Sequence, residues 1–277
     1  MNLLTVNFIK LVTLRFNLLR LNYPFGIFLL LFPMIWTLAY LNSQYYFLVI
    51  ILSILGRTLG CLINDILDME FDRAVKRTKN RPLASGDITK REALIWFCIV
   101  GLLVLAIMIF YALHTFYLCM IIFSMILAYP FMKRITYLPQ LWLGIVFAMG
   151  VFFVTSYSQN LFSVNIILIF LLAVFWVVSF DIVYAMQDLE CDIKIGVKSI
   201  PVLFKQNSIY ITLCLNILVL ILFYWITFSP VHNTLLILMF LDFAYQHWLF
   251  LKKDFKRIFE GNVRIGIIIY IGFLAGA

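Results

Sequence analysis

The run from Ser163 to Ala185, SVNIILIFLLAVFWVVSFDIVYA, carries a single charged side chain, Asp181, in 23 residues. Roughly 20 apolar residues suffice for a helix to cross the hydrocarbon core of a bilayer, and a helix that is apolar on every side needs lipid or protein around it. Eight further runs of the same character lie near 23–42, 45–63, 94–113, 116–132, 140–157, 208–229, 234–251 and 263–277. Across all 277 residues, 65% are hydrophobic and only 12% are charged, about half the charged fraction usual for a soluble domain. A soluble globule of this size has too little interior to hide so much apolar surface. Runs of this length are too long for barrel strands, and backbone in lipid must satisfy its hydrogen bonds internally. The sequence therefore predicts an all-α polytopic membrane protein with about nine transmembrane helices, forming one integral-membrane domain over residues 1–277.

The placement of charge gives this topology a direction. Lys and Arg total 21 against 13 Asp and Glu, a net charge of +8. In a soluble chain such an excess would suggest nucleic acid as a partner; in a membrane chain it marks the loops that stay in the cytoplasm, and no nucleic-acid partner is expected. The connections near 43–44, 114–115, 158–162 and 230–233 contain no Lys, Arg, Asp or Glu. The N-terminal segment and the loops 64–93, 133–139, 186–207 and 252–262, with the helix ends beside them, carry every Lys and Arg. That face is expected to be cytoplasmic, with the N-terminus inside and the C-terminus outside. The acidic residues share it, which orientation alone does not require. The five cysteines form no CxxC pair and the three histidines show no metal-ligand spacing.

Two loops on the charged side, 64–93 and 186–207, are much longer than the rest and cap that face. They follow the second and sixth apolar runs, a spacing that suggests two four-helix units with a ninth helix appended. Thr89-x-x-Glu92 before the third run reads as a helix-capping box.

Each long loop opens on an acidic stripe. Asn64, Asp68 and Asp72 are spaced i, i+4, i+8, as are Tyr184, Asp188 and Asp192. On a helix such positions share one face, and like charges there repel, so a bare helix gains nothing from them. Two facing stripes offer an all-oxygen environment suited to Mg²⁺ shared with substrate phosphates. Arg73, Lys76, Arg77, Lys79 and Arg81 follow the first stripe, and Lys194 and Lys198 the second. A magnesium-bound diphosphate needs both parts, carboxylates for the metal and cations for the remaining oxygens. The alternative is that these acids and bases pair with one another on solvated faces.

Asn64-Asp65-x-x-Asp68-x-x-x-Asp72, continuing to Lys76-Arg77-Thr78-x-x-Arg81-Pro82-Leu83-Ala84-Ser85-Gly86, resembles the first signature of the UbiA superfamily of intramembrane prenyltransferases. Asp181-x-x-Tyr184-Ala185-x-x-Asp188-x-x-x-Asp192-x-x-x-Gly196-x-Lys198-Ser199 resembles the second. Within the superfamily, Tyr184-Ala185-Met186-Gln187-Asp188 and Tyr129-Pro130-Phe131-Met132-Lys133-Arg134 are most similar to the 4-hydroxybenzoate polyprenyltransferases. The resemblance implies transfer of a polyprenyl chain from polyprenyl diphosphate to the ring carbon beside the hydroxyl of 4-hydroxybenzoate, in ubiquinone biosynthesis.

On that basis Asn64, Asp68, Asp72, Asp188 and Asp192 are candidate Mg²⁺ ligands, and the four aspartates are candidate catalytic residues. Lys76, Arg77, Arg81 and Lys198 are candidates for the diphosphate. Arg20, Arg57, Arg134 and Tyr184 are candidates for the aromatic substrate. Arg57 lies seven residues before Asn64 on nearly the same helical face, where an Arg is costly unless paired or facing a polar cavity. Asp181, or an aspartate of the second stripe, is the candidate base for the ring proton. Asp242, with Gln246 one turn on, falls outside both motifs. Other acceptors of the same superfamily, leading to menaquinone or haem O, stay open, as more distantly does a secondary transporter with repeated halves. Membrane lipid is an expected partner. The N-terminal segment shows no cleavable signal or transit peptide, which points to a bacterial inner membrane.

Overall fold

Small polar residues and prolines set where the helices begin. The Ser163 hydroxyl accepts from the Ile166 backbone N–H ahead of α9 (Val164–Met186), and Pro139 occupies the first position of α8 (Pro139–Thr155). The Thr89 hydroxyl accepts from the Glu92 N–H at 3.2 Å at the start of α6 (Lys90–Tyr111), which is half of the expected capping box. The Glu92 carboxylate turns instead to Arg15, at 2.8 Å, on α1 (Leu3–Leu18).

The computed structural model describes residues 3–111, 116–156, 162–227 and 230–276, and these are all-helical. The remaining long helices are α2 (Phe25–Tyr40), α3 (Tyr46–Leu67), α7 (Phe116–Ile135), α12 (Ser208–Ile226), α13 (His232–Leu251) and α14 (Phe255–Gly276). Short helices α4 (Met69–Ala74) and α5 (Pro82–Ser85) follow α3, and α10 (Leu189–Ile195) and α11 (Ile200–Phe204) follow α9. Each of the nine apolar runs coincides with a long helix. Six spans among the described residues are long and apolar enough to cross a membrane: Tyr46–Leu67, Phe116–Ile135, Val164–Met186, Ile200–Ile226, His232–Leu251 and Phe255–Gly276. α2 and α8 are apolar but shorter, at 16 and 17 residues. The uncharged connections read at 114–115 and, apart from Phe162, at 158–162 lie outside the described residues.

The chain is an integral membrane protein, and its surface agrees with its composition: Phe47 is 78% exposed and Phe110 and Tyr117 are each 84% exposed, side chains that water would not tolerate in such number. α9 is the central helix, packed against α8, α12, α14 and α2. Trp176 on α9 and Trp36 on α2 are fully buried with ring centroids 4.9 Å apart. Their indole N–H groups are satisfied inside the bundle, by the Asn262 Oδ1 at 3.0 Å and the Gly266 carbonyl at 2.9 Å, as a buried indole requires. Gly266 has no alternative in this packing, because a Cβ there would lie 2.3 Å from the Phe32 ring.

The two long loops are built alike. Each of α3 and α9 ends just before an aspartate, and the chain turns at Asp68 (φ −98°, ψ 11°) and near Asp188 (φ −107°, ψ 4°) into a short helix. Each short-helix region closes on a glycine in the left-handed region, Gly86 (φ 85°) and Gly196 (φ 75°). The stripes Asn64–Asp72 and Tyr184–Asp192 therefore do not run along single straight helices. In the first stripe the Asp68 and Asp72 N–H groups still reach back four residues, to the Asn64 and Asp68 carbonyls at 2.8 Å; in the second the Asp192 N–H reaches Asp188 at 2.9 Å, but the Asp188 N–H reaches only three residues back, to the Ala185 carbonyl at 3.2 Å.

Candidate active site

The bends bring the two stripes face to face at the charged end of the bundle. Arg77, on the segment after α4, donates through Nε to Asp188 Oδ1 and Oδ2 at 3.0 and 3.1 Å, and its Nη2 also reaches Oδ2. Its Nη1 donates to the Tyr184 hydroxyl at 2.9 Å, and the guanidinium carbon sits 4.9 Å from the Tyr184 ring centre. One cation thus ties the first loop to the first two members of the second stripe, Tyr184 and Asp188. The Tyr184 ring packs against Phe259 of α14, with centroids 4.6 Å apart, which fixes its hydroxyl toward Arg77.

α7 supplies the third wall. The Lys133 Nζ lies 3.2 Å from Asn64 Oδ1 and 3.4 Å from Asp68 Oδ2, and 5.3 Å from the centre of the Tyr129 ring. Arg134 Nη2 donates to the Leu67 carbonyl at 3.3 Å and stands 3.6 Å from Asp68 Oδ1. The Lys198 N–H donates to the Lys133 carbonyl at 2.8 Å, and its Nζ donates to the Ile135 carbonyl at 3.2 Å, which holds the second loop on the end of α7. Lys76 is exposed and makes no ion pair among the described residues.

Behind the first stripe lies a buried ion-pair lattice. Asp65, whose side chain is 3% exposed, accepts from Arg20 at 2.9 and 2.6 Å and from Arg81 at 3.1 Å, while Arg81 also donates to Asp72 at 2.7 Å. Arg20 and Arg81 are thus both committed to carboxylates. Burial pushes the Asp72 carboxyl above its ordinary range, against the pull of Arg81. Burial, then the adjacent Asp188 carboxylate, raises Asp192 to about 6; Asp68 acts in the same sense and Lys133 and Arg77 oppose it. Charges from both stripes therefore converge on Asp192, which forms no ion pair among the described residues.

Arg57 and Asp181 occupy the deeper end. The Arg57 guanidinium lies against Gly26, where an added Cβ would come within 2.6 Å of Nε. Asp181, 8% exposed, is within electrostatic range of Arg57 and Lys133. Arg57 has neither a hydrogen bond nor an ion pair among the described residues, and Tyr129, Asp181 and Tyr184 lie within electrostatic range of it.

Lys133, Tyr129 and Asp65 are the members of this cluster that the sequence reading did not single out. Tyr129 and Lys133 are four residues apart, and that spacing was the available signal. Arg134, one residue on, points about 100° away, toward the outer side of Asp68. Asp242 pairs with neither stripe, accepting instead from Arg264 and Gln246 at 2.7 Å within the α13–α14 pair.

The bent stripes do not form a closed metal cage: no group of three or more acidic, His or Cys side chains among the described residues converges on one point. Mg²⁺ seldom asks for one, since it is commonly held by one or two carboxylates and completed by substrate phosphates and water. The oxygen donors of Asn64, Asp68, Asp188 and Asp192 suit such a shared ion.

An all-helical membrane bundle with carboxylates and cations interleaved at one end defines a class of membrane-embedded enzyme that handles an anionic group beside an apolar one. The UbiA prenyltransferase family model matches residues 26–261, and the chain belongs to that family. It is 36% identical over 272 residues to a 4-hydroxybenzoate octaprenyltransferase of Marinomonas sp. (strain MWYL1), covering 94% of this chain and 96% of that one. The corresponding protein of Vesicomyosocius okutanii is 36% identical over 271 residues, covering 92% and 98%. Among solved structures, a UbiA homolog from Aeropyrum pernix K1 superposes with a TM-score of 0.76 at 24% identity, covering 89% of this chain and 96% of that one. A UbiA homolog from Archaeoglobus fulgidus, solved bound to GPP and Mg²⁺, gives 0.67 at 18% identity, covering 92% and 99%.

Proposed function

We propose that the chain transfers a polyprenyl group from polyprenyl diphosphate to the ring carbon ortho to the hydroxyl of 4-hydroxybenzoate, releasing diphosphate. The single observation that carries this reading is the pair of stripes joined through Arg77 and Lys133, beside an apolar interior, in a chain similar over nearly its whole length to 4-hydroxybenzoate octaprenyltransferases.

The diphosphate oxygens are received by Arg77, Lys76 and Lys198, with Arg81 holding Asp72 in place behind them. A Mg²⁺ ion held among Asn64, Asp68, Asp188 and Asp192, with Asp72 paired to Arg81, would neutralise the leaving group's charge. Asp192 supplies a carboxylate with no cation of its own. The apolar side chains around the half-buried Tyr129 and Tyr184 exclude the water that would quench an allylic cation. Arg57 takes the carboxylate of the aromatic acid, and Arg134 adds positive charge at the mouth. Asp181, between Arg57 and Lys133, accepts the ring proton. Arg20 acts through Asp65 rather than on the substrate.

The charged end is assigned to the cytoplasm of a bacterial inner membrane, with nine crossings in two four-helix units and a ninth helix. The matching builds of the loops after α3 and α9 support the duplication.

The test is product formation. The purified chain in lipid, given polyprenyl diphosphate, Mg²⁺ and a panel of aromatic acceptors, should make 3-polyprenyl-4-hydroxybenzoate and diphosphate in equal amounts. Turnover of a different acceptor, with 4-hydroxybenzoate left unreacted, would overturn the assignment.

A further inference from the structure

On the side of α9 away from the stripes, a second polar cleft opens between α9, α12 and α13. Ser179 lies two residues before Asp181, about 200° around the helix and so on the opposite face. The cleft is shallow and lined by Ser179, Thr212, Asn216, Gln246, His247 and Phe250 among others.

The donors of this lining can be accounted for one by one. The Thr212 hydroxyl donates to the Ile209 carbonyl at 2.8 Å. Gln246 donates to Asp242 at 2.7 Å and accepts from Asn262 at 3.2 Å, so its amide is committed at both ends. The Ser179 hydroxyl donates to Asn216 Oδ1 at 2.7 Å, which turns the Asn216 NH₂ away from Ser179. That NH₂ and the His247 imidazole have no hydrogen-bond partner among the described residues. A donor that faces lipid without a partner is costly, so a cleft of this kind suits an oxygen acceptor from outside the protein.

Depth identifies the acceptor. His247 is four residues from the charged end of α13, about 6 Å along the axis, and Asn216 is eight residues into α12, about 12 Å. Measured from helix ends at the headgroup level, this is where acyl chains join their headgroups. Lys205 and Lys252 lie at the same ends of α12 and α13, and Lys252 sits 5.8 Å from the exposed Trp248 ring, an arrangement suited to an anionic headgroup. The exposed Leu213 and Ile217 on α12 give the chains an apolar track.

We propose that this cleft binds one membrane glycerophospholipid, the Asn216 amide and His247 ring donating to its ester carbonyls. The site is built on the reverse face of the helix that carries Asp181 and Tyr184, and it is separate from the prenyl-diphosphate end.

Native mass spectrometry of the whole chain, released from detergent after incubation with defined lipids, tests this directly. A diester phosphatidylglycerol should be retained as a single adduct. Its diether analogue, identical but for the missing carbonyls, should be retained at least 10-fold less. The double variant Asn216→Leu, His247→Leu should lose the preference for the diester while keeping the wild-type melting temperature; the single variant Asn216→Leu serves the same purpose if the double one does not fold. Equal retention of diester and diether lipid, or a preference unchanged in the variants, overturns the proposal. Displacement of the lipid by a prenylated phenol at equimolar amount would also overturn it, by assigning the cleft to a substrate-like ring.

Discussion

The Arg77 guanidinium clamps both oxygens of Asp188, 111 residues away in sequence, and the Tyr184 hydroxyl with its remaining arm. A planar fork is needed for three such contacts, and a lysine ammonium cannot supply it. Arg77→Lys should therefore lower kcat/KM for polyprenyl diphosphate on the order of 10²-fold, as loss of one preorganised donor commonly does. Steady-state assays with varied diphosphate check this; a variant within 3-fold of wild type would remove Arg77 from the diphosphate site.

Asp65 separates stability from chemistry. Its buried carboxylate compensates two guanidinium groups, Arg20 and Arg81, and removing one partner of such a pair costs about 3–5 kcal/mol. Asp65→Ala should lower the melting temperature in detergent by roughly 6–20 °C at about 2–4 °C per kcal/mol. Asp68→Ala, which faces Lys133 at the mouth of the site, should lose turnover with a much smaller thermal shift. Thermal unfolding beside activity distinguishes the two, and equal thermal losses would contradict it.

Gly26 should behave as a residue for the aromatic acid although it has no side chain. A methyl group there would displace the Arg57 guanidinium, which it would approach within 2.6 Å. A charge-assisted hydrogen bond to a carboxylate is worth about 1.5–3 kcal/mol, so Gly26→Ala should raise KM for 4-hydroxybenzoate roughly 10- to 100-fold. KM for the diphosphate should stay within a factor of about 3. If both constants rise together, Arg57 serves the bundle rather than the acceptor.

A chelator should abolish turnover and Mg²⁺ should restore it, while Asp188→Ala should remain inactive at any Mg²⁺ concentration. Activity unchanged by chelation would exclude the carboxylates from metal binding.

Much of this arrangement was legible in the chain because its signals are local. The apolar runs locate nine of the ten long helices among the described residues, all but α1, and the spacing of Asn64–Asp68–Asp72 and Tyr184–Asp188–Asp192 falls at the ends of two of them. The bends at Asp68 and Asp188 were not legible, since the i, i+4 spacing fits a straight helix and a bent one equally well. Arg20 read as a substrate residue because nothing in sequence reveals that Asp65, 45 positions later, is its partner. Lys133 was hidden beside Arg134: two adjacent cations point about 100° apart on a helix, and only the packing of α7 decides which one faces inward.

The interleaved charges at the end of an otherwise apolar bundle have a kinetic consequence. One substrate and one product are solutes of the bilayer, while diphosphate leaves into water, so the enzyme works as a catalyst between two phases. The concentration that saturates it on the prenyl side is then a surface density, counted per lipid rather than per litre. Adding inert phospholipid at constant total prenyl donor slows such a reaction, and adding buffer does not.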